Sequence, residues 1–250
     1  DRVTLWPSSL EFDRNYGTNG TGNGEFEDPH SVAAGGNLGF LYVTDEGNDR
    51  VQMFNYGANT AAAYFTQFGT TGTGNGQFNG PQGIGLDASG GPHVADSGND
   101  RVQVFSNTGG FQSAFGTTGG DPGQLDGPRG VAVDQVGGDI AVVDATSARF
   151  QTFNDLGDLS FIGATTTGGI PFDTVLGPDG SVYVTRGDSV ERYVPPPRPD
   201  ARIRVGNGAL TANDVYNTTG AGQALVVSDG ADVVLEGFTF RNGVAAVRGR

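Results

Sequence analysis

Three aspartates in this sequence end apolar segments and precede short polar turns. They are Asp45 after FLYVT, Asp96 after PHVA and Asp144 after IAVV. Carboxylate oxygens are the ligands that Ca²⁺ prefers, and further carboxylates are expected on the same face from Glu25, Asp28 and Asp126. The spacing therefore predicts calcium as a candidate metal at Asp45, Asp96 and Asp144. The alternative is local, because an aspartate at a strand end can accept hydrogen bonds from its own turn.

Residue types suited to other chemistry are scarce. The two histidines, His30 and His93, occur in no recognisable Ser-His-Asp context, and no motif anchors a pair of glutamates for glycoside hydrolysis. Cysteine is absent, which excludes disulfides and thiolate zinc sites. The string GTGNG at 72–76 joins two predicted strands instead of opening a helix, so it is interpreted as a turn and not a phosphate loop. We therefore predict that the protein is not an enzyme.

The charge balance narrows the choice of partner. The 250 residues carry a formal net charge of −14, and all 14 basic residues are arginine. Such a field repels nucleic acid and anionic membrane, and no apolar run reaches the ~20 residues of a membrane helix. We expect neither nucleic-acid binding nor membrane insertion. Because the sequence begins at Asp1, we expect an extracellular or cell-surface protein whose signal peptide has been removed.

Four sequence anchors recur in a fixed order, which indicates an internal repeat. The first joins glycine, an aromatic residue or leucine, and proline, at 24–33, 76–85, 123–132 and, in degenerate form, 168–177. The second is an apolar segment with aspartate at its end in three units, at 40–45, 92–96, 140–144 and 181–186, where Thr185 stands at the aspartate position. The third resembles RVQVF, at 50–54, 101–105, 149–153 and 189–194. An aromatic residue before Gly-Thr closes a unit, at 16–18, 68–70 and 115–117.

Each unit has room for four short strands separated by glycine, asparagine and aspartate turns. Within RVQVF, Val102 and Val104 face one way and Phe105 the other, so both faces are apolar. A sheet buried on both faces needs a neighbour on each side, as the blades of a propeller have. The repeat therefore predicts an all-β propeller.

The pattern at 76–105 resembles the NHL repeat, which forms a blade of a β-propeller. The resemblance is strongest at 74–119, extends to 22–72, and weakens at 121–165, where Ser147 replaces asparagine, and again at 166–194. It implies a propeller over about residues 9–195, but it implies no single function because this fold carries many.

The arrangement of strands predicts four blades. The N-terminal segment SLEFDRNYG at 9–17 matches a final strand, and the fourth unit stops after three strands at Val194. We expect the N-terminal strand to complete the fourth blade, which would remove two exposed edges and bury Leu10 and Phe12. The alternative is an open arc that another copy of the chain completes.

Residues that follow the proline of each first anchor are expected at the channel mouth. They are His30, Gln82, Arg129 and Phe172. The resemblance extends to an amidating lyase in which histidines at such positions hold zinc. One histidine with an arginine cannot form that three-nitrogen cage, so these side chains are interpreted as polar lining of the mouth.

A boundary is predicted at VPPPRPD, which is typical of a stiff polyproline spacer. We assign 1–194 to the propeller, 195–200 to a linker and 201–250 to a small β module. The segment 198–223 resembles the start of an immunoglobulin-like secreted module, and DVVLEGFTFRNG resembles a β-helix rung. An incomplete sheet would continue, dock or accept a strand from another molecule, for which DRVTLW at 1–6 is a candidate donor.

The sequence predicts a secreted structural or interaction protein that binds protein partners, first of all copies of itself. Two alternatives are a calcium-dependent lyase or hydrolase with its site at the mouth, and a propeller that binds glycan or protein. No cofactor other than calcium is expected. Asn19 and Asn217 begin glycosylation sequons.

Overall fold

The computed structural model is all-β in its described part, apart from two single-turn 3-10 segments, Glu46–Asn48 and Ser97–Asn99. It describes residues 2–5, 14–35, 39–55, 63–135, 138–154, 161–177 and 179–194. The chain divides into two units, residues 1–194 and 195–250. The predicted linker and the predicted C-terminal module lie outside the described residues, so their boundaries and their resemblances stay predictions.

Four short strands precede the first blade. Strand β1 (Val3–Leu5) pairs antiparallel with β2 (Arg14–Tyr16), and β3 (Thr18–Asn19) pairs parallel with β4 (Glu25–Phe26). They lead the chain into the repeated part of the molecule.

The following strands form four antiparallel sheets, which are the blades. Blade 1 contains β5 (Pro29–Gly35), β6 (Phe40–Asp45), β7 (Arg50–Asn55) and β8 (Ala63–Phe68). Blade 2 contains β9 (Pro81–Leu86), β10 (Pro92–Asp96), β11 (Arg101–Phe105) and β12 (Phe111–Phe115). Blade 3 contains β13 (Pro128–Val133), β14 (Asp139–Asp144), β15 (Arg149–Asn154) and β16 (Phe161–Thr166). Blade 4 contains β17 (Pro171–Leu176), β18 (Val182–Arg186) and β19 (Ser189–Tyr193). The predicted four-blade propeller is confirmed.

The first strand of each blade lies innermost, and consecutive inner strands pack side by side in the order β5, β9, β13, β17. Glycine permits this close approach of backbones. A Cβ atom at Gly83 would lie 2.1 Å from the carbonyl oxygen of Arg129 in the next blade, and one at Gly130 would lie 2.8 Å from the Cα atom of Asp173. Any larger residue at Gly83 would therefore push two blades apart.

The apolar core lies between the blades, with one cluster for each neighbouring pair. Met53 of blade 1 packs with Phe78 and Phe105, which belong to the second repeat unit. The second cluster joins blades 2 and 3 in the same way, and the third joins Phe150 of blade 3 to Val184 of blade 4. Burial of a large apolar side chain stabilises by roughly 1.5–3 kcal/mol, so the blade interfaces carry most of the hydrophobic stabilisation.

The expected closure by the N-terminal strand is not seen among the described residues. Strand β2 pairs with β1, and the sheet of blade 4 has three strands. No packing comparable to that of consecutive inner strands joins β5 to β17 in the described part of the chain. Leu10 and Phe12 lie outside the described residues. The physical reason is that β2 finds its ladder partner locally, in a segment only a few residues away in sequence.

Within the described residues, no helix has both the length and the apolar character that a membrane crossing requires.

Candidate functional site at the channel mouth

The predicted mouth residues all begin inner strands, one per blade. His30, Gln82, Arg129 and Phe172 each follow the proline that starts its strand. Two contacts link neighbouring blades here. The Gln82 amide donates a hydrogen bond of 3.0 Å to Oε1 of Glu46, and the guanidinium carbon of Arg129 lies 5.6 Å from the centre of the Phe172 ring. These four residues thus lie at the same end of the inner strands.

The mouth of blade 1 holds a cavity of about 380 Å³ with ionisable walls. It is lined by Arg2, Asp28, Pro29, His30 and Glu46. One imidazole, two carboxylates and one guanidinium therefore share a single opening. An imidazole beside carboxylates is an arrangement suited to proton transfer, and a cation in the same space can bind or stabilise an anion.

Blade 1 departs from the repeat at three of these positions, Asp28, His30 and Glu46. Asp28 has a φ of 51°, whereas the same place holds Gly80 and Gly127 with φ values of 63° and 62°. A left-handed conformation costs a non-glycine residue free energy, although aspartate tolerates it better than most. The repeat therefore offers a glycine here, and blade 1 carries a carboxylate instead.

The position after the strand-ending aspartate also differs between blades. It holds Glu46 in blade 1, Ser97 in blade 2 and Ala145 in blade 3. Sequence reasoning missed Glu46 and Arg2 as mouth residues. The signal for Glu46 was available, because aligning the three turns shows an ionisable side chain in one blade only. No repeat signal marks Arg2, which precedes the repeated part of the chain.

A second cavity of about 310 Å³ lies between the four inner strands. Its lining includes Ser31, Leu86, Val133, Asp173 and Thr174. The hydroxyl of Thr174 is buried and has no hydrogen-bond partner among the described residues. This cavity is the central channel that the propeller fold implies.

The predicted calcium ligands occupy a different place, which we call the corner. In blades 1 to 3 the corner is the aspartate that ends the second strand together with the arginine that begins the third. The Nε–Oδ2 distances are 2.6 Å for Arg50–Asp45, 2.8 Å for Arg101–Asp96 and 2.7 Å for Arg149–Asp144. All three carboxylates are fully buried. Each carboxylate is therefore neutralised within its own blade.

The remaining acceptor positions of these carboxylates are also occupied. In blade 2, Oδ1 of Asp96 accepts hydrogen bonds from the backbone N–H of Asn79 and the amide of Asn99, at 2.8 and 3.0 Å. Its Oδ2 accepts the amide of Gln103 at 3.0 Å. Arg101 in turn donates to the carbonyl oxygens of Gly74 and Gln77. The corner thus fastens the loop at 74–79 to the blade that follows it.

A calcium ion at Asp45, Asp96 or Asp144 would compete with these arginine and amide donors for the same oxygens. The three aspartates lie in different blades, and among the described residues no group of three His, Cys, Asp or Glu side chains could hold a metal ion. These residues do not form a shared cage, and no chemical step is assigned to calcium. Calcium binding stays a prediction, tested by calorimetry on chelator-treated protein and on an Asp96→Asn variant.

In blade 4 an arginine stands where the corner of the other blades has its aspartate, and Ser189 stands where they have arginine. Pro171 pairs with Arg186, as Pro128 pairs with Asp144. The predicted equivalence of Thr185 with the aspartates is therefore wrong by one residue, because the turn after β18 is two residues shorter. Arg186 forms an ion pair with Glu191, and both side chains are partly exposed.

A second link between blades was missed in the sequence. Asp49 has a φ of 50°, and its Oδ1 accepts the backbone N–H of Gly80 at 2.8 Å while its Oδ2 accepts the Thr71 hydroxyl at 2.7 Å. Asp100 makes the same two bonds to the third unit, with Gly127 and Thr118. The signal was the repeated GND at 47–49 and 98–100, which precedes Arg50 and Arg101.

The other predicted sites fall in varied places. Asn19 lies exposed in β3, and Asn217 lies outside the described residues, so glycosylation stays a prediction. His93 is buried in β10, away from the mouth as expected. The GTGNG string is a turn that joins β8 to β9.

Blade geometry and solved structures agree on the class of protein, a β-propeller. The chain is similar to a streptogramin B lyase (TM-score 0.55, 14% identity, 77% of this chain and 61% of that chain). It is similar to a catalytically inactive histidine-to-alanine variant of virginiamycin B lyase from Staphylococcus aureus with quinupristin (TM-score 0.53, 12% identity, 77% of this chain and 62% of that chain). It is also similar to a gluconolactonase from Xanthomonas campestris (TM-score 0.54, 12% identity, 75% of this chain and 63% of that chain). The chain spans about three-fifths of the length of these proteins.

One family model matches more specifically, that of the NHL repeat, over residues 26–54. This segment contains β5 and β6, most of β7, and the first corner. No curated protein matches the sequence.

These neighbours correct the prediction that the protein is not an enzyme. The solved structures that share its propeller include proteins named as lyases and as a gluconolactonase. The sequence contains no contiguous or triad-like catalytic motif, and the ionisable residues of the blade 1 mouth come from separate segments of the chain. In a propeller, the mouth is assembled from one or two residues of each blade, far apart in sequence.

Proposed function

We propose that the propeller is a lyase or hydrolase that acts on a cyclic ester at the mouth of blade 1. The observation that carries the proposal is the ~380 Å³ cavity in which Arg2, Asp28, His30 and Glu46 meet. Three of these four residues replace glycine, glutamine or serine of blade 2.

In this proposal His30 is the general base. In a hydrolysis it takes a proton from water. In a lyase reaction it takes a proton from the carbon atom next to the one that bears the ester oxygen, the C–O bond of that neighbouring carbon breaks, and an alkene and a carboxylate are left. Asp28 and Glu46 stabilise the imidazolium that forms, and Arg2 binds the oxygen that gains negative charge. In hydrolysis, water adds to the ester carbonyl and the ring C–O bond breaks, which leaves an acid and an alcohol. The lyase neighbour inactivated by loss of one histidine supports an essential imidazole.

The proposal is tested by following two probes that the neighbours suggest. Opening of glucono-1,5-lactone is measured by pH-stat, and conversion of quinupristin by mass spectrometry, each with Ca²⁺ and with a chelator. We expect turnover of at least one probe, loss of at least 100-fold in His30→Gln, and little change in Gln112→Ala, an exposed residue of β12. Equal turnover by the wild type and His30→Gln would overturn the assignment.

A binding protein is the second candidate, because the same cavity can hold a ligand without converting it. Binding of an unconverted probe, lost in His30→Gln, would favour this candidate over the enzyme. Extracellular location stays a proposal and is tested by fractionating the source cells.

A further inference from the structure

The two end blades expose apolar faces that their counterparts bury. In blade 4, Val190 is 68% exposed and Val175 is 60% exposed, whereas their equivalents Phe150 and Ala132 in blade 3 are 4% and 8% exposed. Phe150 is buried because blade 4 covers it, through Val184 and the Tyr193 ring at 4.9 Å. The face of blade 4 that bears Val190 is therefore built like a covered face.

Blade 1 shows the complementary face. Val32 is 50% exposed, whereas its equivalent Ile84 is 6% exposed because it packs against blade 1. Phe26, Val43 and Phe54 form a small cluster on the same side. Each internal interface joins a face like that of Val190 to a face like that of Val32. The two uncovered faces are thus the two halves of the interface that the molecule already uses three times.

The residues that precede blade 1 repeat the features of the loops that connect one blade to the next. Gly17, Gly69 and Gly116 have φ values of 85°, 98° and 89°. A Cβ atom on each would collide with the apolar side chain that follows the glutamate or glutamine of the next loop, at 2.3–2.5 Å. Parallel pairing repeats as well, since Asn19 pairs with Phe26 and Thr71 with Phe78. Strand β2 therefore holds the place that β8 and β12 hold, as the outermost strand of a blade.

Among the described residues, blade 4 lacks an outermost strand, and β2 has the character of an outermost strand but pairs only with β1. We propose that a second copy of this chain supplies the missing neighbour, head to tail. Blade 4 of one copy packs against blade 1 of the next, and β2 of that next copy completes the edge of β19. Two copies closing on each other would give an eight-bladed ring, within the usual range of propellers, and a rotation that does not close would give a filament.

Charge sets the solution behaviour of this assembly. Each copy carries a formal charge of −14, so copies repel one another over roughly one Debye length, ~8 Å at physiological ionic strength. The proposed contact is apolar and is not weakened by salt. Association should therefore strengthen as salt rises from 0.05 to about 0.5 M.

The test uses the full chain and two variants, each of which places a charge on one exposed face. Val190→Glu alters the face of blade 4, which we call the tail, and Val32→Glu alters the face of blade 1, which we call the head. Both side chains are exposed, so each variant should fold, which circular dichroism checks. Sedimentation should show a wild type larger than one copy, with each variant alone reduced to a monomer. An equimolar mixture should form a one-to-one complex, because it retains one intact head and one intact tail. The control Ala114→Glu adds the same charge to an exposed position of β12 and should assemble like the wild type.

Three outcomes would overturn the proposal. A monomeric wild type at about 100 μM and high salt would mean that residues of the same chain cover these faces. Loss of assembly in Val190→Glu but not in Val32→Glu would indicate a symmetric contact of blade 4 with itself. Failure of the mixture to form a complex would exclude the head-to-tail contact. None of these readings depends on catalytic activity.

Discussion

The corner and the mouth lie at the same end of the blades, but their sequences vary in opposite ways. The corner repeats its Asp–Arg pair in blades 1, 2 and 3 with Nε–Oδ2 distances between 2.6 and 2.8 Å. The mouth changes in every blade, from His30 to Gln82 to Arg129 to Phe172. Comparing equivalent residues of the blades shows which positions are repeated and which differ. The residues that blades 1 to 3 share at the corner hold each blade together, and the residues that differ at the mouth are available for chemistry.

The largest effect is expected at the corner. Asp96→Ala leaves the guanidinium of Arg101 and the amide of Gln103 without their shared acceptor in a buried place. Removing one partner of a buried ion pair costs about 3–5 kcal/mol, so the free energy of unfolding in urea should fall by that amount. A loss below 1 kcal/mol would show that the repeated corner is not a structural device.

Tyr42 is a residue that differs between blades but does not lie at the mouth, so it tests whether a variable position can also be structural. It is buried, and its hydroxyl lies 2.8 Å from the carbonyl oxygen of Asn107, to which it donates. Burial, with a smaller contribution from Asp87, raises the pKa of Tyr42 to about 12. The unfolded chain therefore ionises this tyrosine near pH 10 while the folded chain does not, and stability is lost as the pH rises from 10 to 12.

The corresponding variant is Tyr42→Phe. It should lower the free energy of unfolding at pH 7 by about 1 kcal/mol through the lost hydrogen bond, and it should flatten the decline between pH 10 and 12. Urea unfolding across this pH range measures both, with Tyr64→Phe of the same blade as a control. An unchanged alkaline slope in Tyr42→Phe would contradict the assignment.

A gain of stability is expected where blade 3 has lost a repeated residue. Ala148 has a φ of 48° at the position of Asp49 and Asp100. Aspartate tolerates this conformation better than alanine, and its carboxylate can accept the backbone N–H of Ile170 as Asp100 accepts that of Gly127. Ala148→Asp should raise the free energy of unfolding by about 1 kcal/mol. A decrease in stability would indicate that the third turn has no acceptor site to fill.

The smallest effect on stability is expected at the partly exposed ion pair of blade 4, between Arg186 and Glu191. Arg186 lowers the pKa of Glu191 by donating a hydrogen bond to its carboxylate. Its stabilisation is present above the ordinary glutamate pKa and is lost as the pH falls through the lowered value. Because both side chains are partly exposed, Glu191→Gln should change urea unfolding at pH 7 far less than Asp96→Ala does. Equal effects would break the distinction between buried and exposed pairs.

The repeat made the fold predictable, and the site was predictable only in part. The spacing of Pro29, Pro81 and Pro128 located the inner strands and, with them, the mouth. The corner aspartates were found, but a pattern of carboxylates does not reveal which donors surround them. Closure by the N-terminal strand is not seen among the described residues, for a related reason. Sequence shows that the β2 segment has the character of an outer strand, but it does not show which edge that strand pairs with.

The distinction between a structural corner and a variable mouth is tested by replacing the mouth residues of blade 1 with those of blade 2. The triple variant Asp28→Gly, His30→Gln, Glu46→Ser removes the ionisable mouth residues of blade 1 and leaves Asp45 and Arg50 in place. Thermal unfolding of this variant is compared with that of Asp45→Ala. The account predicts that the triple variant melts at or above the temperature of the wild type, since glycine relieves the left-handed strain at residue 28, while Asp45→Ala melts well below it. A triple variant that is as unstable as Asp45→Ala would show that the mouth, too, is part of the structural framework.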